Sequence, residues 1–263
     1  MSNVAAEPVI VSRRGAVLHL ILNRPQALNA VDASVIKAMR TALRAAQNDA
    51  DVRVVAISAV PGRAFVAGAD IKEMLPNGPS DAEGMVRDIR TLYSAIHNFP
   101  RPVIAFIDGL CFGGGVELAI ACDLRIATDR SQFGLPEVTL GILPGGGGTA
   151  RLAAMIGVNA ARRLCMTGKV IDASEALRLN LIDELHEADD FEKTTEERLA
   201  AFAEMSPTAL SRIKRIFRRI IDDASETLDE VEAYAIAQCF AGEDQKEGMT
   251  AFIEKRKPVF TGR

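Results

Sequence analysis

Glu117 stands inside one of the most apolar stretches of the chain, GLCFGGGVELAIACD (109–123), and Glu137 follows a proline in FGLPEVTLGILPGGGG (133–148). A carboxylate in such a run must find a partner, reach solvent or stay neutral, because burying an unpaired charge costs several kcal/mol by rough estimate. One reading of Glu117 is a helix residue turned to solvent or paired with an arginine. The other is a catalytic carboxylate at a helix start, beside backbone N–H groups that bind an oxyanion. Three segments bear on the choice. FVAGAD (65–70) closes a strand with small residues, so that N–H groups such as that of Ala69 can approach a ligand. FGGGVE (112–117) opens a helix with glycines whose first N–H groups lack helical partners. The segment around Glu137 is irregular. Each alone reads equally as a tight turn, a close helix–strand packing or a surface glutamate.

Together they describe one kind of chemistry. Two N–H donors from separate turns can converge on a carbonyl oxygen and hold the enolate charge that develops there, each worth roughly 2.7–4 kcal/mol. Two carboxylates on different elements can then flank the carbon skeleton, one as base and one as acid, if their surroundings push their pKa values apart. This suits reactions alpha and beta to a carbonyl, with neither a metal nor a covalent nucleophile.

The elements that must position these groups follow from periodicity and punctuation. VIVSRRGAVLHLILNRP predicts two strands turning at Gly15 and closed by Pro25. Asp32 caps a predicted helix to about Asn48, with Val35, Ile36, Met39 and Leu43 on one face. VRVVAISAV, PVIAFIDG and DLRIAT predict buried strands, and 113–121 the helix between the last two. GRAFVAGADIKEML leads through a loop into a helix, followed by a polar loop, PNGPSDAEG, and a helix from Met85 to about Asn98 that FPRP stops. A further helix starts near Gly148 or Thr149. Strand and helix thus alternate to about residue 150, as in an α/β core with parallel strands. Residues 149–263 read as successive helices without a strand. In SRIKRIFRRII, Ile213, Ile216, Phe217 and Ile220 form one helical face and the basic residues a solvated one.

The 263 residues carry a formal net charge of −4, which gives no general reason to expect nucleic acid. No apolar run is long enough to span a bilayer, and MSNVAAEPVIVSRRG lacks the pattern of a secretory or organellar leader. Cys111, Cys122, Cys165 and Cys239 have no CxxC spacing and read as reduced thiols of a cytoplasmic protein. No HExxH, GxSxG or GxxxxGK[ST] pattern occurs.

FVAGADIKEM, GLCFGGGVELAIACDLRIA, FGLPEVTLGILPGGGGTARL and EGMTAFIEKRKPVF resemble the enoyl-CoA hydratase branch of the crotonase superfamily, in the expected order over nearly the whole chain. The resemblance implies an α/β spiral of ββα units over 1–200, followed by a helical region over 201–263 for oligomer contacts, as a trimer or a dimer of trimers. It implies that Ala69 and Gly114 supply the oxyanion-hole N–H groups for a thioester carbonyl. Glu117 would be the base on water attacking the beta carbon, and Glu137 would deliver a proton to the alpha carbon. Ala67, Gly68, Asp70, Ile71 and Lys72, with Ala27 and Pro136, would line the coenzyme A path. No metal or cofactor is implied, coenzyme A being part of the acyl-CoA substrate, and neither nucleic acid nor membrane is an expected partner. Keeping both glutamates favours hydration of 2-enoyl-CoA, as in fatty-acid catabolism. An isomerase, a specialised acyl-CoA dehydratase or a non-catalytic CoA-ester-binding protein of the same fold are the alternatives. Leu135, Gly146, Ala150 and the pair Cys111-Phe112 depart from the residues frequent in hydratases, which bears on the shape of the acyl pocket.

Overall fold

Apolar residues alternating on either side of Gly15, whose φ is +58°, fold into the hairpin β1 (Val9–Arg14) and β2 (Val17–Leu22). The computed structural model describes residues 7–261, with side chains described outside 219–232. After the hairpin, α1 (Ala33–Ala46) starts at Asp32, whose carboxylate accepts the Val35 N–H at 2.8 Å and satisfies one of the orphan donors of the first turn. Val35, Met39 and Leu43 of α1 are buried against the sheet, as their spacing requires.

From there the chain repeats one unit. β3 (Val54–Ala59), β5 (Val103–Ile107) and β7 (Leu124–Thr128) join a six-stranded sheet of order β1-β2-β3-β5-β7-β10, parallel except at β1, with β10 at Glu184–His186. Each of the three is followed by a short strand of a second sheet: β4 (Ala64–Ala67), β6 (Leu110–Phe112) and β8 (Gln132–Gly134), parallel to one another. Each short strand then leads into helix: α2 (Ile71–Met74) and α3 (Pro79–His97) after β4, α4 (Gly114–Ala121) after β6, and a 3-10 turn (Pro136–Leu140) after β8. The result is a crotonase-type α/β spiral. Its main core packs Leu20, Ile57, Leu92 and Ile96 without exposure, each contributing about 1.5–3 kcal/mol by removal from water.

The remainder comprises α5 (Gly148–Ile156), α6 (Val158–Thr167), β9 (Ile171–Asp172), α7 (Ala173–Arg178), α8 (Phe191–Glu204), α9 (Pro207–Ala241) and α10 (Glu243–Glu254). Three sequence expectations change here. Strands do occur after residue 149: β9 pairs with β8 and β10 with β7, both too short to show a period of two. The polar loop before Met85 is instead the start of α3, with Pro79 at the first helical position and the Asp81 carboxylate accepting the Gly78 N–H at 3.1 Å. PTALSRIKRIFRRIIDD and LDEVEAYAIAQCF are one helix, α9, because neither proline nor glycine interrupts 208–241.

The amphipathic reading of α9 holds for Arg212 and Arg215, which are exposed, and is corrected at Lys214 and on the apolar face. Lys214 faces inward, donating to Asp123 Oδ2 at 2.7 Å and to the Arg101 carbonyl at 3.1 Å. Ile213, Ile216 and Phe217 face outward, 52 %, 62 % and 63 % exposed, because α9 docks on the spiral through the Lys214 side. Ile220 lies outside the described side chains. No helix among the described residues is long and apolar enough to cross a membrane.

Candidate active site

The register of the small sheet brings the site together. Ala67 pairs with Phe112 and Phe112 with Gly134, so the three parallel strands end level with one another. The residues that follow, Gly68-Ala69, Gly113-Gly114 and Leu135-Pro136-Glu137, therefore lie side by side although some 45 and 23 positions separate them in the chain. The Gly113 N–H donates to the Gly134 carbonyl at 2.9 Å and continues the pairing one step past β6.

Each glycine of 113–115 meets a different demand. Gly113 has φ +51° and ψ −120°, a backbone that residues with a Cβ avoid, and a Cβ there would also lie 2.9 Å from Glu137 Oε1. A Cβ on Gly115 would lie 2.2 Å from the Val66 carbonyl oxygen, so α4 packs directly on β4. A Cβ on Gly114 would stand 3.6 Å from Ala69 N, over the space between the two strand ends. On the other side, Val31 N–H donates to the Gly68 carbonyl and Asp70 N–H to the Val31 carbonyl, which turns the intervening Ala69 N–H away from that pairing. Gly114 is the first residue of α4, so its N–H lacks a helical acceptor. Two N–H groups thus line one cleft, the arrangement that binds a developing oxyanion.

The two glutamates differ in surroundings. Glu117, on α4 and 4 % exposed, accepts the N–H groups of Gly146 (2.7 Å) and Gly148 (2.9 Å) on Oε1 at the start of α5. Donors of this kind match the lone pairs of a carboxylate. Arg151 is buried and holds the donor turn by giving a hydrogen bond to the Gly146 carbonyl at 3.1 Å. Glu137, in the 3-10 turn and 8 % exposed, has its Oε2 buried without a hydrogen-bond partner in the protein. Burial, reinforced by the charge of Glu117, pushes Glu137 up to about 8, so it carries a proton at neutral pH. One carboxylate is thus set up as acceptor and the other as acid. Burial also pushes Cys122 up to about 12 and Cys111 higher still, which leaves neither thiol ready as a nucleophile.

Both glutamates face a cavity of about 320 Å³ whose walls also include Ala67, Gly68, Ala69, Ile71, Gly114 and Pro136. Ile236 of α9 and Phe252 of α10 close its far side. Asp70 instead caps α2 and lies in the adjoining groove between α1 and α3. Ala27 and the exposed Lys72 stand outside the cavity wall, where Leu28 takes the place expected of Ala27. Residues not singled out from the sequence support the site from behind. Arg24 joins the Asp32 and Asp70 carboxylates at 2.9 and 3.0 Å, tying the start of α1 to the residue after Ala69. The Gly146 and Gly148 N–H donors are also absent from the sequence reading, and the run of four glycines ahead of α5 is their one trace in the chain. Among the described residues no group of three or more His, Cys, Asp or Glu side chains is arranged to hold a metal ion.

Comparison with known proteins gives the same frame. The family model described as enoyl-CoA hydratase/isomerase matches residues 12–263. A short-chain-enoyl-CoA hydratase of Clostridium acetobutylicum is 37 % identical over 95 % of each chain, and a crotonyl-CoA hydratase of Syntrophomonas wolfei 34 % identical over 99 % of this chain and 100 % of its own. A crystal structure of an enoyl-CoA hydratase from Mycobacterium avium subsp. paratuberculosis superposes with a TM-score of 0.88 at 29 % identity, covering 97 % of this chain and 98 % of its own. Strand ends, paired N–H groups and sequence relatives agree, and the chain belongs to the enoyl-CoA hydratase/isomerase family.

Proposed function

We propose that this protein adds water reversibly to the double bond of 2-enoyl-CoA thioesters, giving 3-hydroxyacyl-CoA in acyl-CoA catabolism. The observation that carries the reading is the pair of buried glutamates with unlike surroundings, both facing the cavity that Ala69 and Gly114 line. The Ala69 and Gly114 N–H groups bind the thioester oxygen and draw electron density from the conjugated double bond. Glu117 takes a proton from water as its oxygen bonds to the beta carbon, and Glu137 gives its proton to the alpha carbon. Solvent then returns a proton from Glu117 to Glu137, so no cofactor enters beyond the coenzyme A of the substrate.

The acyl group is an uncharged one. Met74, Met85, Val86, Ile142, Ile236 and Phe252 supply the wall beyond the glutamates, and none of them can pair with a charged tail. Ala67, Gly68, Asp70 and Ile71 flank the coenzyme A arm, with Pro136 opposite and Ala27 and Lys72 toward solvent. The region 201–263 makes contacts between copies in a homotrimer or a dimer of trimers. The exposed apolar face of Ile213, Ile216 and Phe217 supports this, since a lone chain gains nothing by presenting it to water. Cysteine thiols that form no disulfide among the described residues support a reducing, cytoplasmic setting. Neither nucleic acid nor membrane is a partner.

The test is loss of the conjugated thioester absorbance with crotonyl-CoA and longer uncharged enoyl-CoAs, with product identified by mass. A gain of one water supports hydration. A shifted double bond without gain of mass would replace it with isomerisation, and binding without turnover would replace it with a carrier role. Light scattering on the eluted protein reads the oligomer, and a monomeric mass would refute that part.

A further inference from the structure

Tyr93, on α3, is fully buried and takes no part in the mechanism above. Its hydroxyl donates to the Gly114 carbonyl at 2.7 Å. Gly114 opens α4, and its carbonyl has two lone pairs, one for the helical N–H four residues on and one for the phenol. A Cβ on Gly114 would stand 3.3 Å from the Tyr93 oxygen and 3.6 Å from Ala69 N, so phenol, helix start and partner donor lie within one small volume. The ring has room because residue 146 is glycine. A Cβ there would lie 2.6 Å from Tyr93 Cε2 and 2.6 Å from Glu117 Oε2. The phenol therefore wedges between the turn that holds Glu117 and the helix that carries both Glu117 and the Gly114 N–H.

We propose that Tyr93 is a positioning residue, whose hydroxyl pins the first turn of α4 through the Gly114 carbonyl and so sets the aim of the Gly114 N–H at the thioester oxygen. The proposal rests on the oxyanion reading of Ala69 and Gly114. Burial first, then the charges of Glu117 and Glu137, hold the phenol well above its ordinary pKa, so it remains a donor throughout the working range. A hydroxyl that only filled space would have no bearing on charge developing at the substrate oxygen. One that aims the helix start should matter most when that oxygen is negative.

The experiment compares wild type with Tyr93→Phe, which keeps the ring and removes the hydroxyl. Three quantities are read: kcat and KM for crotonyl-CoA, the dissociation constant of butyryl-CoA, and the ultraviolet enolate band of bound acetoacetyl-CoA, which places full negative charge on the thioester-side oxygens. The expected result is a fall of about tenfold in kcat, the worth of one buried neutral hydrogen bond, with a matching loss of enolate band. KM and butyryl-CoA affinity should stay within about twofold in that variant, as for an interaction made chiefly in the transition state. An unchanged kcat and enolate band overturns the proposal. So does an equal loss of butyryl-CoA affinity and enolate band, which would make Tyr93 a packing residue. If Tyr93→Phe does not fold, fluorotyrosine incorporated at the chain's two tyrosines alters donor strength without altering shape, and an enolate band that ignores it overturns the proposal equally. Wild type that shows the enolate band but hydrates nothing sinks the hydratase reading alone and leaves the Tyr93 comparison standing.

Discussion

The first turn of α4 and the 3-10 turn after β8 each deliver one glutamate to the same cavity, and they are built in opposite ways. Around Glu117 the protein supplies backbone donors from Gly146 and Gly148, backed by Arg151. Around Glu137 it supplies apolar walls and leaves one carboxyl oxygen without a protein partner. Two identical side chains thus acquire unlike surroundings, and the proposed roles of proton acceptor and proton donor follow from what their neighbours can or cannot give. A bare sequence motif cannot express this difference, since both are written as glutamate.

The contrast between the two glutamates is tested most strongly by removing either charge while keeping the shape. Glu117→Gln and Glu137→Gln should each lower kcat by at least about 10², within the ordinary range for acid–base groups. Retained activity in either, measured with crotonyl-CoA, would show that one carboxylate carries both steps. Next comes pH. In the proposed mechanism Glu137 works in its acid form, so kcat/KM should fall about tenfold per unit above pH about 8, and a plateau up to pH 10 would contradict that role.

A smaller effect sharpens the other side. A Cβ on Gly148 would lie 2.7 Å from Glu117 Oε1 and 2.7 Å from the Pro144 Cβ. Gly148→Ala should therefore displace the base and cost about 10–100-fold in kcat, as misplacements of about 1 Å do, with a change in KM of less than about threefold. An equal loss through KM would place the fault in binding instead.

The smallest effect is on stability. The pKa of Glu137 in the folded state is raised to about 8 from an ordinary 4.5, so the native state holds a proton that the unfolded chain has given up. Its contribution is fully present below pH about 4.5 and is lost as pH rises to about 8. Glu137→Gln does not titrate and should gain on wild type across that window, reaching on the order of 10 °C in Tm above it at ~1.4 kcal/mol per pKa unit and ~2–4 °C per kcal/mol. Parallel Tm curves for the two proteins between pH 5 and 8 would refute the raised pKa.

Much of this arrangement is legible in the residues. Asp32 announces α1, and the three strand-ending motifs point to the convergence of Ala69, Gly114 and Glu137. What the sequence hides is long-range. Tyr93 reads as one more apolar position on α3, because the Gly114 carbonyl it serves is 21 positions away. The donors to Glu117 are backbone groups, which no side-chain pattern advertises. β9 and β10 are two and three residues long and exist only by pairing with β8 and β7. The inward turn of Lys214 depends on Asp123, 91 positions earlier, and overrides the local pattern of α9.

The strand ends that carry the site belong to segments of only three and four residues, and the pairing of β4 with β6 already shifts between Ala64 and Val66. Strands this short have little grip on their own alignment, and a slip of one residue moves a backbone group by about 3.3 Å and reverses the side it faces. The Leu110 N–H extends the pairing by one rung to the Arg63 carbonyl at 3.0 Å, and the alignment is fastened from outside by the Asn29 side chain, which donates to the Ala64 carbonyl at 2.8 Å. Asn29 thus acts like a locating pin in a machine tool. It touches nothing proposed to react, yet the spacing of the two N–H groups proposed as oxyanion donors inherits its accuracy.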